Sequence, residues 1–463
     1  MKFRILSLLS ILLLLPGISS AYTSHASVQK NTPVASKEAP DKYPYYSALP
    51  QKEWTFAVYI AADNDLNYFS GRNLDDMAKV GSNANLNIVA HLDKPGAHEK
   101  TKRLYVEKNR LVQVNANDPY SFQKLDSGSA STLIDFCEWT IKNYPAKHYA
   151  LILWNHGSGI LDNVGGRTVN PSELFIFNPQ TNMLELDRSV SYLDFVQKKY
   201  SEQRAVCFSD TFKTFLSNQK LAFALKTVQQ GALQGKKFDI IGYDACLMAM
   251  TEVADLIQPY ARLGVFSQGL ELGAGWKYDE VLKPFLTRTM EPEEFAAHIV
   301  QVYNTHYQTI TADYTLSAVS LDKLPTLTAA IDTVSSLLLQ LIQTQQHASV
   351  TNAIKASKSK RLCTHFSEPS YLDLDHFLAN IADTIDYMIV FAVKEPLKEA
   401  LRQAIATTRQ NLASCVIAHA EGKNLTRARG LSIYFPLRQV DLTYAITPFA
   451  RSNKWLNLIE TAV

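Results

Sequence analysis

The chain has no excess of either charge and little cysteine. Lys and Arg total 46 against 44 Asp and Glu, and the basic residues form no concentrated run. Surfaces that bind nucleic acid depend on clustered positive charge, so we expect no nucleic-acid partner. The cysteines form no CxxC pair, and nothing in their spacing suggests structural zinc. They are Cys137, Cys207, Cys246, Cys363 and Cys415.

Because the number of cysteines is odd, at least one thiol stays unpaired, and the sequence proposes no disulfide pairing. Cys137 and Cys415 fall in predicted helices, where we expect buried single thiols. Long apolar runs are also scarce, and the one near the N-terminus has a recognisable form.

Lys2 and Arg4 precede the apolar residues 5–15, and Pro16 then breaks the run ahead of several small residues. This pattern is typical of a cleaved secretory signal, here residues 1–21. The alternative, an N-terminal membrane anchor, is less favoured because a span needs roughly 20 apolar residues. We therefore expect a secreted or periplasmic protein with no stable membrane span after the signal is removed.

Residues 22–52 are rich in Ser, Pro, Lys and Ala and lack an amphipathic period, which indicates a flexible leader or linker. The remainder is long enough for one large or two ordinary domains. We assign 53–320 to an α/β core and 321–463 to a helical C-terminal portion that returns at least one strand to the core.

Nearly continuous apolar runs with helical segments between them predict strands buried on both faces of a mostly parallel sheet. A more alternating stretch at 102–114 predicts a hairpin or edge pair. Further strands are expected at 314–321 and 430–435, and long helices at 323–347 and 374–415. The buried strands are expected at 54–62, 86–92, 148–154, 238–244 and 261–267.

The stretch 238–250, FDIIGYDACLMAM, carries the first candidate for a nucleophile. It runs from an apolar strand through Asp244 and Cys246 into residues with helical potential. A thiol at such a junction would lie near a helix N-terminus, whose partial positive charge favours thiolate.

A second candidate follows the strand at 148–154, where His156 is succeeded by Gly157. The carboxyl ends of neighbouring parallel strands meet at one sheet edge, so His156 and Cys246 can converge. A Cys/His pair performs acyl transfer, and the amides of Gly157 and Cys246 could stabilise the oxyanion. The alternatives are that His156 merely caps a strand and that Cys246 is an ordinary buried thiol.

Several segments together resemble the clostripain family of cysteine peptidases, in the caspase-like group. They are WTFAVYIAADNDLN, LWNHGSG, FDIIGYDACLMAM with the later GAGW, and the closing GLSIYFP followed by Trp455. The resemblance implies a caspase-like α/β/α sandwich and endopeptidase action on protein or peptide substrates. It implies His156 as general acid/base and Cys246 as nucleophile.

The resemblance also implies cleavage after Arg or Lys, which requires a carboxylate at the floor of the substrate pocket. Asp244, two residues before the predicted nucleophile, matches the acid of the family. The alternative interpretation is that Asp244 is a helix N-cap.

Residues after the strand at 261–267 are further candidates for substrate binding, namely Ser267, Gln268 and Glu271. Gln268 stands where the family often has Glu, and Lys277 follows the GAGW turn. A basic group near the pocket would oppose a basic substrate, so Glu271 or Asp279 is expected to compensate.

The resemblance implies a precursor that is cut within the long excursion between 160 and 237. Basic residues there are candidate processing sites, although ordinary solvated charges are the alternative for each: Arg167, Lys198, Lys199 and Arg204. No cofactor is expected to be required. Calcium is a possibility at the turn Asp63, Asn64, Asp65, where a capped turn is the favoured interpretation.

Two functions are consistent with these observations. The first is a secreted cysteine endopeptidase that uses a Cys/His dyad. The second is a catalytically weak family member that binds peptides or a partner protein through the same groove. Only the first predicts covalent capture of a substrate-like inhibitor.

Overall fold

The computed structural model describes residues 50–114, 122–162, 171–189, 206–344, 347–388 and 395–463. The predicted signal 1–21, most of the predicted leader and the helix predicted near 190–200 lie outside the described residues. So do the four candidate processing sites, Arg167, Lys198, Lys199 and Arg204.

Strands are found wherever the apolar runs predicted buried strands, and several short strands are added between them. Their bounds are β1 Lys52–Ala61, β2 Leu86–Asp93, β3 Lys102–Glu107, β4 Arg110–Gln113, β5 Ala146–Trp154, β6 Phe175–Asn178, β7 Met183–Leu186, β8 Val206–Ser209, β9 Thr214–Leu216, β10 Phe238–Asp244, β11 Ala261–Phe266, β12 Thr315–Ser320, β13 Tyr371–Asp373, β14 Val416–Glu421 and β15 Ser432–Tyr434.

The central sheet has nine strands in the order β14-β12-β11-β10-β5-β1-β2-β3-β4. The five strands from β11 to β2 run parallel, and antiparallel strands extend the sheet at both edges. The predicted α/β fold around a mostly parallel sheet is confirmed, as is the hairpin predicted at 102–114, which forms β3 and β4.

Helices connect the parallel strands and make up much of the C-terminal portion. Their bounds are α1 Asn67–Val80, α2 Ala130–Asn143, α3 Asn218–Gln230, α4 Thr251–Ile257, α5 Tyr278–Leu282, α6 Pro292–Tyr307, α7 Leu324–Ile342, α8 His347–Ser357, α9 Leu374–Met388, α10 Glu395–Cys415, α11 Leu442–Ala445, α12 Pro448–Ser452 and α13 Trp455–Ala462.

Both faces of the sheet are covered, because successive side chains of a strand point to opposite faces. On one face Trp54 of β1 packs edge-on against Phe295 of α6, with ring centroids 5.1 Å apart. On the other face Tyr59 of the same strand packs against Phe136 of α2 at 5.7 Å. The buried residues of β1 therefore contribute to two cores, which explains why its sequence is apolar almost throughout.

The C-terminal portion returns to the sheet by a strand that was not predicted. β14, which follows directly on α10, pairs with β12 at the edge of the central sheet. The strand predicted at 430–435 is present as β15, but it pairs with β13 in a separate two-stranded sheet. Ser432 of β15 donates its N–H to Ala249 at 2.9 Å, so this portion contacts the segment after Cys246.

Residues 321–342, which include α7, are long and apolar enough to span a membrane, by length and composition alone. This finding differs from the expectation that nothing after the signal approaches a span. Leu327, Val334 and Leu338 are nevertheless completely buried in the protein. A continuous buried stripe at helical spacing is typical of a core helix.

All five cysteines are buried, and all carry free thiols. Cys137 lies within α2, and Cys415 is the last residue of α10. The prediction of buried single thiols at these two positions is confirmed. Cys246 is also buried.

Candidate active site

His156 and Cys246 follow adjacent strands at matching positions. In the parallel pairing of β5 with β10, Asp244 lies opposite Trp154, so each candidate comes two residues after a paired position. The Asn155 N–H donates to the Asp244 carbonyl at 3.3 Å, so the two chains stay hydrogen-bonded one residue past the end of β5. The sheet therefore brings His156 and Cys246 to the same edge.

Gly157 allows the two chains to approach closely beyond the strand ends. A Cβ atom at this position would lie only 2.2 Å from the Cys246 carbonyl oxygen, a distance that real Cβ atoms do not adopt. The main chains of the two residues predicted to form the oxyanion site are thus in direct contact. Glycine is required here by the close approach of the backbone.

The thiol does not lie at a helix N-terminus, so that prediction is wrong. β10 ends at Asp244 and α4 begins only at Thr251. The intervening residues form a turn in which Leu247 has a φ of 64°, and its N–H donates to Gly269 at 2.9 Å. Because these residues bond to the segment after β11, they do not start the helix. The alternative interpretation of Asp244 as an N-cap is wrong for the same reason.

The backbone of Glu271 holds the sulfur of Cys246. The Glu271 N–H donates to Sγ at 3.2 Å, and the thiol lies 3.7 Å from the Glu271 carbonyl oxygen. The side chain is 2% exposed, and burial raises the pKa of the thiol well above its usual range. Burial therefore favours the protonated thiol in this conformation, and the sulfur needs a base to become a nucleophile.

The imidazole of His156 is fixed by a carboxylate that sequence reasoning did not assign to the site. His156 Nε2 lies 2.7 Å from Asp65 Oδ1. The other ring nitrogen, Nδ1, is buried and has no hydrogen-bond partner within the described part of the chain. Asp65 follows β1, which lies beside β5 in the sheet. Its position after a strand adjacent to that of His156 is the feature that could have identified it as a site residue.

Asp244 lies in a buried pocket beside Cys246, together with a second acid. Its Oδ2 accepts hydrogen bonds from the Tyr278 hydroxyl at 2.7 Å and the Trp276 N–H at 3.1 Å. Burial raises the pKa of Asp244 to about 6, although these two donors oppose the shift. Burial and the nearby Asp244 raise the pKa of Glu271 still further from its usual value.

Burial and the proximity of the two acids thus disfavour their simultaneous ionisation in this conformation. Both side-chain oxygens of Glu271 are buried. Like charges held together in a buried site disfavour each other's ionisation. A cation entering the pocket would relieve that repulsion.

The cavity beside these acids is small in this conformation. It has a volume of about 20 Å³ and is bordered by Asp244, Cys246, Glu271 and Gly275, among others. Gly275 has a φ of 64°, and a Cβ there would lie 2.6 Å from Asp244 Oδ2. A basic side chain does not fit this volume.

Two residues predicted to bind substrate lie elsewhere. The Ser267 hydroxyl is 3.0 Å from that of Thr315. Gln268 donates to Asp373 and accepts from the Gly430 N–H, both at 3.0 Å. Neither residue borders the small cavity, and Gln268 ties the loop after β11 to the C-terminal portion.

Lys277 does not border the small cavity, and two acids hold its ammonium group. Its ammonium group lies 2.7 Å from Asp279 and 3.1 Å from Asp76. Asp279 also pairs with Lys79 at 3.2 Å. Both residues are thus engaged in a separate ion-pair cluster, and Glu271 is the acid that accompanies Asp244.

The three polar residues of the 63–65 turn bind different partners. Asp63 accepts from the Ser209 hydroxyl at 2.6 Å, and Asn64 donates to the Ala61 carbonyl at 2.9 Å. Asp65 faces His156. The turn thus connects β1, the β8–β9 hairpin and the imidazole.

Comparison with known proteins places these features in context. A sequence profile described as the clostripain family matches residues 58–171 and 194–460. Clostripain from Hathewaya histolytica is 22% identical over 254 residues, which cover 49% of this chain and 41% of that protein. The chain therefore matches less than half of the length of this relative.

Two solved structures are similar in fold. An inactive zymogen C11 protease from Parabacteroides distasonis has a TM-score of 0.57 at 19% identity, covering 88% of this chain and 99% of that one. A secreted C11 cysteine protease from Bacteroides thetaiotaomicron, solved with an irreversible peptide inhibitor, has a TM-score of 0.56 at 18% identity, covering 89% and 99%.

Proposed function

Since this chain belongs to the clostripain family, we propose that it is a secreted cysteine endopeptidase that cleaves peptide bonds after Arg or Lys. The observation that carries the proposal is the matched position of His156 and Cys246 beyond adjacent strands, with Gly157 against the Cys246 carbonyl. In this proposal Cys246 is the nucleophile, His156 is the base, and two neighbouring main-chain amides lie at the same sheet edge.

In the proposed reaction the Cys246 thiol gives its proton to His156, and the sulfur attacks the scissile carbonyl carbon. The amides of Gly157 and Cys246 stabilise the resulting oxyanion. The imidazolium then protonates the leaving amine, and the C–N bond breaks to give a thioester. Water, deprotonated by His156, hydrolyses the thioester and releases the carboxylic acid and the free thiol. Proton transfer of this kind contributes about 10²- to 10⁴-fold to a rate.

The preference for Arg or Lys rests on Asp244 and Glu271. A guanidinium or ammonium group would neutralise the negative charge that burial disfavours in this pocket. Entry requires the movement of residues 271–275 away from the small cavity. The same movement would release Sγ from the Glu271 backbone, so substrate entry and activation of the thiol would occur together.

Secretion and processing complete the proposal. Residues 1–21 would direct export and then be removed, and self-cleavage would fall between residues 160 and 237. The candidate positions remain Arg167, Lys198, Lys199 and Arg204. The proposed steps use only the chain's own side chains and water, and calcium stays a possible modulator.

The wild-type protein is expected to cleave a mixed peptide library with Arg or Lys before nearly every cut. In Asp244→Asn, kcat/KM for basic substrates is expected to fall about 10²- to 10³-fold, because a buried charge pair loses one partner. Product sequencing by mass spectrometry and kinetics on matched Arg and Leu peptides would measure both effects. Cuts dominated by non-basic residues would refute the role of Asp244, and no cuts at all would refute the peptidase.

The alternative is a peptide-binding protein with little turnover. Two features favour this alternative. The Glu271 backbone holds Sγ by a hydrogen bond, and the cavity beside it is too small for a substrate side chain. Such a protein would bind a basic peptide without cleaving it. Binding measured by calorimetry, together with an intact peptide after incubation, would distinguish this alternative from the peptidase.

A further inference from the structure

We propose that Asp65 is a positioning residue that holds His156 as its Nε2–H tautomer and so makes Nδ1 the atom that exchanges a proton with Cys246. This role deepens the proposed function and rests on it. The argument starts from the distance of 2.7 Å between His156 Nε2 and Asp65 Oδ1. A carboxylate can only accept a hydrogen bond, so the proton of this contact belongs to Nε2.

The second ring nitrogen is left with a lone pair. A neutral imidazole carries one proton, and when Nε2 holds it Nδ1 must be an acceptor. Nδ1 is buried and has no hydrogen-bond partner among the residues described. An unsatisfied buried acceptor is costly in a resting protein, and it is what a base needs before it takes a proton.

The turn that carries Asp65 is fixed on both sides. Asn64 Oδ1 accepts from the Leu66 N–H at 3.0 Å, and Asn64 Nδ2 donates to the Ala61 carbonyl at 2.9 Å. Asp63 is held by Ser209 at 2.6 Å. The carboxylate of Asp65 is therefore presented to His156 from a rigid support, as positioning groups require.

The exposure of the two side chains suits an ion pair that forms only during the reaction. The Asp65 side chain is 34% exposed, whereas that of His156 is 4% exposed. Asp65 can thus remain charged in contact with water, while the buried imidazole gains a counter-ion when it becomes imidazolium. The proton moves from Sγ to Nδ1 and later to the leaving amine, and Asp65 itself takes no proton.

Asp65→Asn is the variant that separates positioning from packing. The amide has nearly the shape of the carboxylate, but its NH₂ group can donate to Nε2 and stabilise the wrong tautomer. The corresponding change in a Ser-His-Asp protease lowers kcat about 10⁴-fold. Because Asp65 is partly exposed, we expect about a 100-fold fall in kcat with KM changed less than about threefold. Asp65→Glu keeps a carboxylate and is expected to retain at least about a tenth of the wild-type kcat.

The matched control is Asp75→Asn, which removes an exposed carboxylate from the neighbouring helix α1 and is expected to leave kcat unchanged. Melting temperatures of all variants should lie close to wild type. An Asn variant with wild-type kcat, or one whose loss lies entirely in KM, would overturn the proposal.

A second readout does not depend on turnover. In protein with ¹⁵N-labelled histidine rings, the His156 signals are assigned by their absence from His156→Ala. We expect Nε2 protonated and Nδ1 unprotonated in wild type, and a shift toward the other tautomer in Asp65→Asn. A protonated Nδ1 in wild type would overturn the role of Asp65. The expected tautomer in a protein that cleaves nothing would overturn the peptidase and leave the positioning of His156 intact.

Discussion

Cys246→Ala is expected to abolish peptide hydrolysis, with kcat/KM at least about 10⁵-fold below wild type. The sulfur forms the thioester, and Ala offers no atom that could replace it. The loss should not come from unfolding, because the hydrogen bonds of Sγ within the described part of the chain are two weak ones to the Glu271 backbone. A fluorogenic peptidyl-Arg substrate and a thermal melt would measure activity and stability on the same sample.

Cys137→Ala provides the matched control, since it removes another buried free thiol, located within α2. Its kcat/KM should equal that of wild type, even if its melting temperature falls through the loss of core volume. Hydrolysis by Cys246→Ala at the wild-type rate would assign the chemistry to a different residue.

His156→Ala is expected to lower kcat about 10³- to 10⁴-fold while the fold persists. Burial raises the pKa of the Cys246 thiol, so without the imidazole no base is placed to generate the thiolate. Within the described part of the chain the buried imidazole makes one hydrogen bond, to Asp65, and His156 lies beyond the end of β5, so its loss leaves the pairing of the sheet intact even if the melting temperature falls. Steady-state kinetics would measure the fall in kcat, and a thermal melt would show whether the fold persists.

His148→Ala is the control, because His148 belongs to the same strand β5 and contacts Asp239 at 3.1 Å near its other end. It is expected to retain kcat. Unfolding of His156→Ala at the assay temperature would instead make His156 a structural residue.

The sequence predicted the parts of the fold that depend on local composition. β1, β2, β5, β10 and β11 are continuous apolar runs because both of their faces are buried, and burial of this kind is visible in the sequence. Their parallel order then placed His156 and Cys246 at one edge. That step needed only the rule that parallel strands share their carboxyl ends.

The parts that were missed depend on contacts between distant residues. A main-chain N–H of β8 donates a hydrogen bond to the Asn155 side chain, which in turn donates to the Ala61 carbonyl. No local sequence pattern predicts hydrogen bonds of this kind. The LMAM run after Cys246 has helical potential, but Leu247 and Ala249 bond to the segment after β11. These tertiary hydrogen bonds therefore outweigh the helix propensity of the residues that follow Cys246.

Asp65 was missed for a related reason. Within its own turn it is one of three polar residues in a row, and that cluster was interpreted as a capped turn, with calcium as a possibility. Its role becomes visible only when β1 is placed beside β5, which brings the turn against His156. The contacts of Gln268 with Asp373 and Gly430 were likewise invisible in the sequence, because they join residues more than 100 positions apart.

The most direct test of a Cys246 nucleophile is the intact mass of the protein after incubation with a peptidyl-Arg acyloxymethyl ketone. The inhibitor loses its acyloxy group when a thiolate attacks, so a reactive cysteine gains the mass of the remaining peptidyl methyl ketone. The account predicts one adduct per active chain, mapped to Cys246, and none on Cys246→Ala. No adduct on the wild type, or an equal adduct on Cys246→Ala, would contradict it.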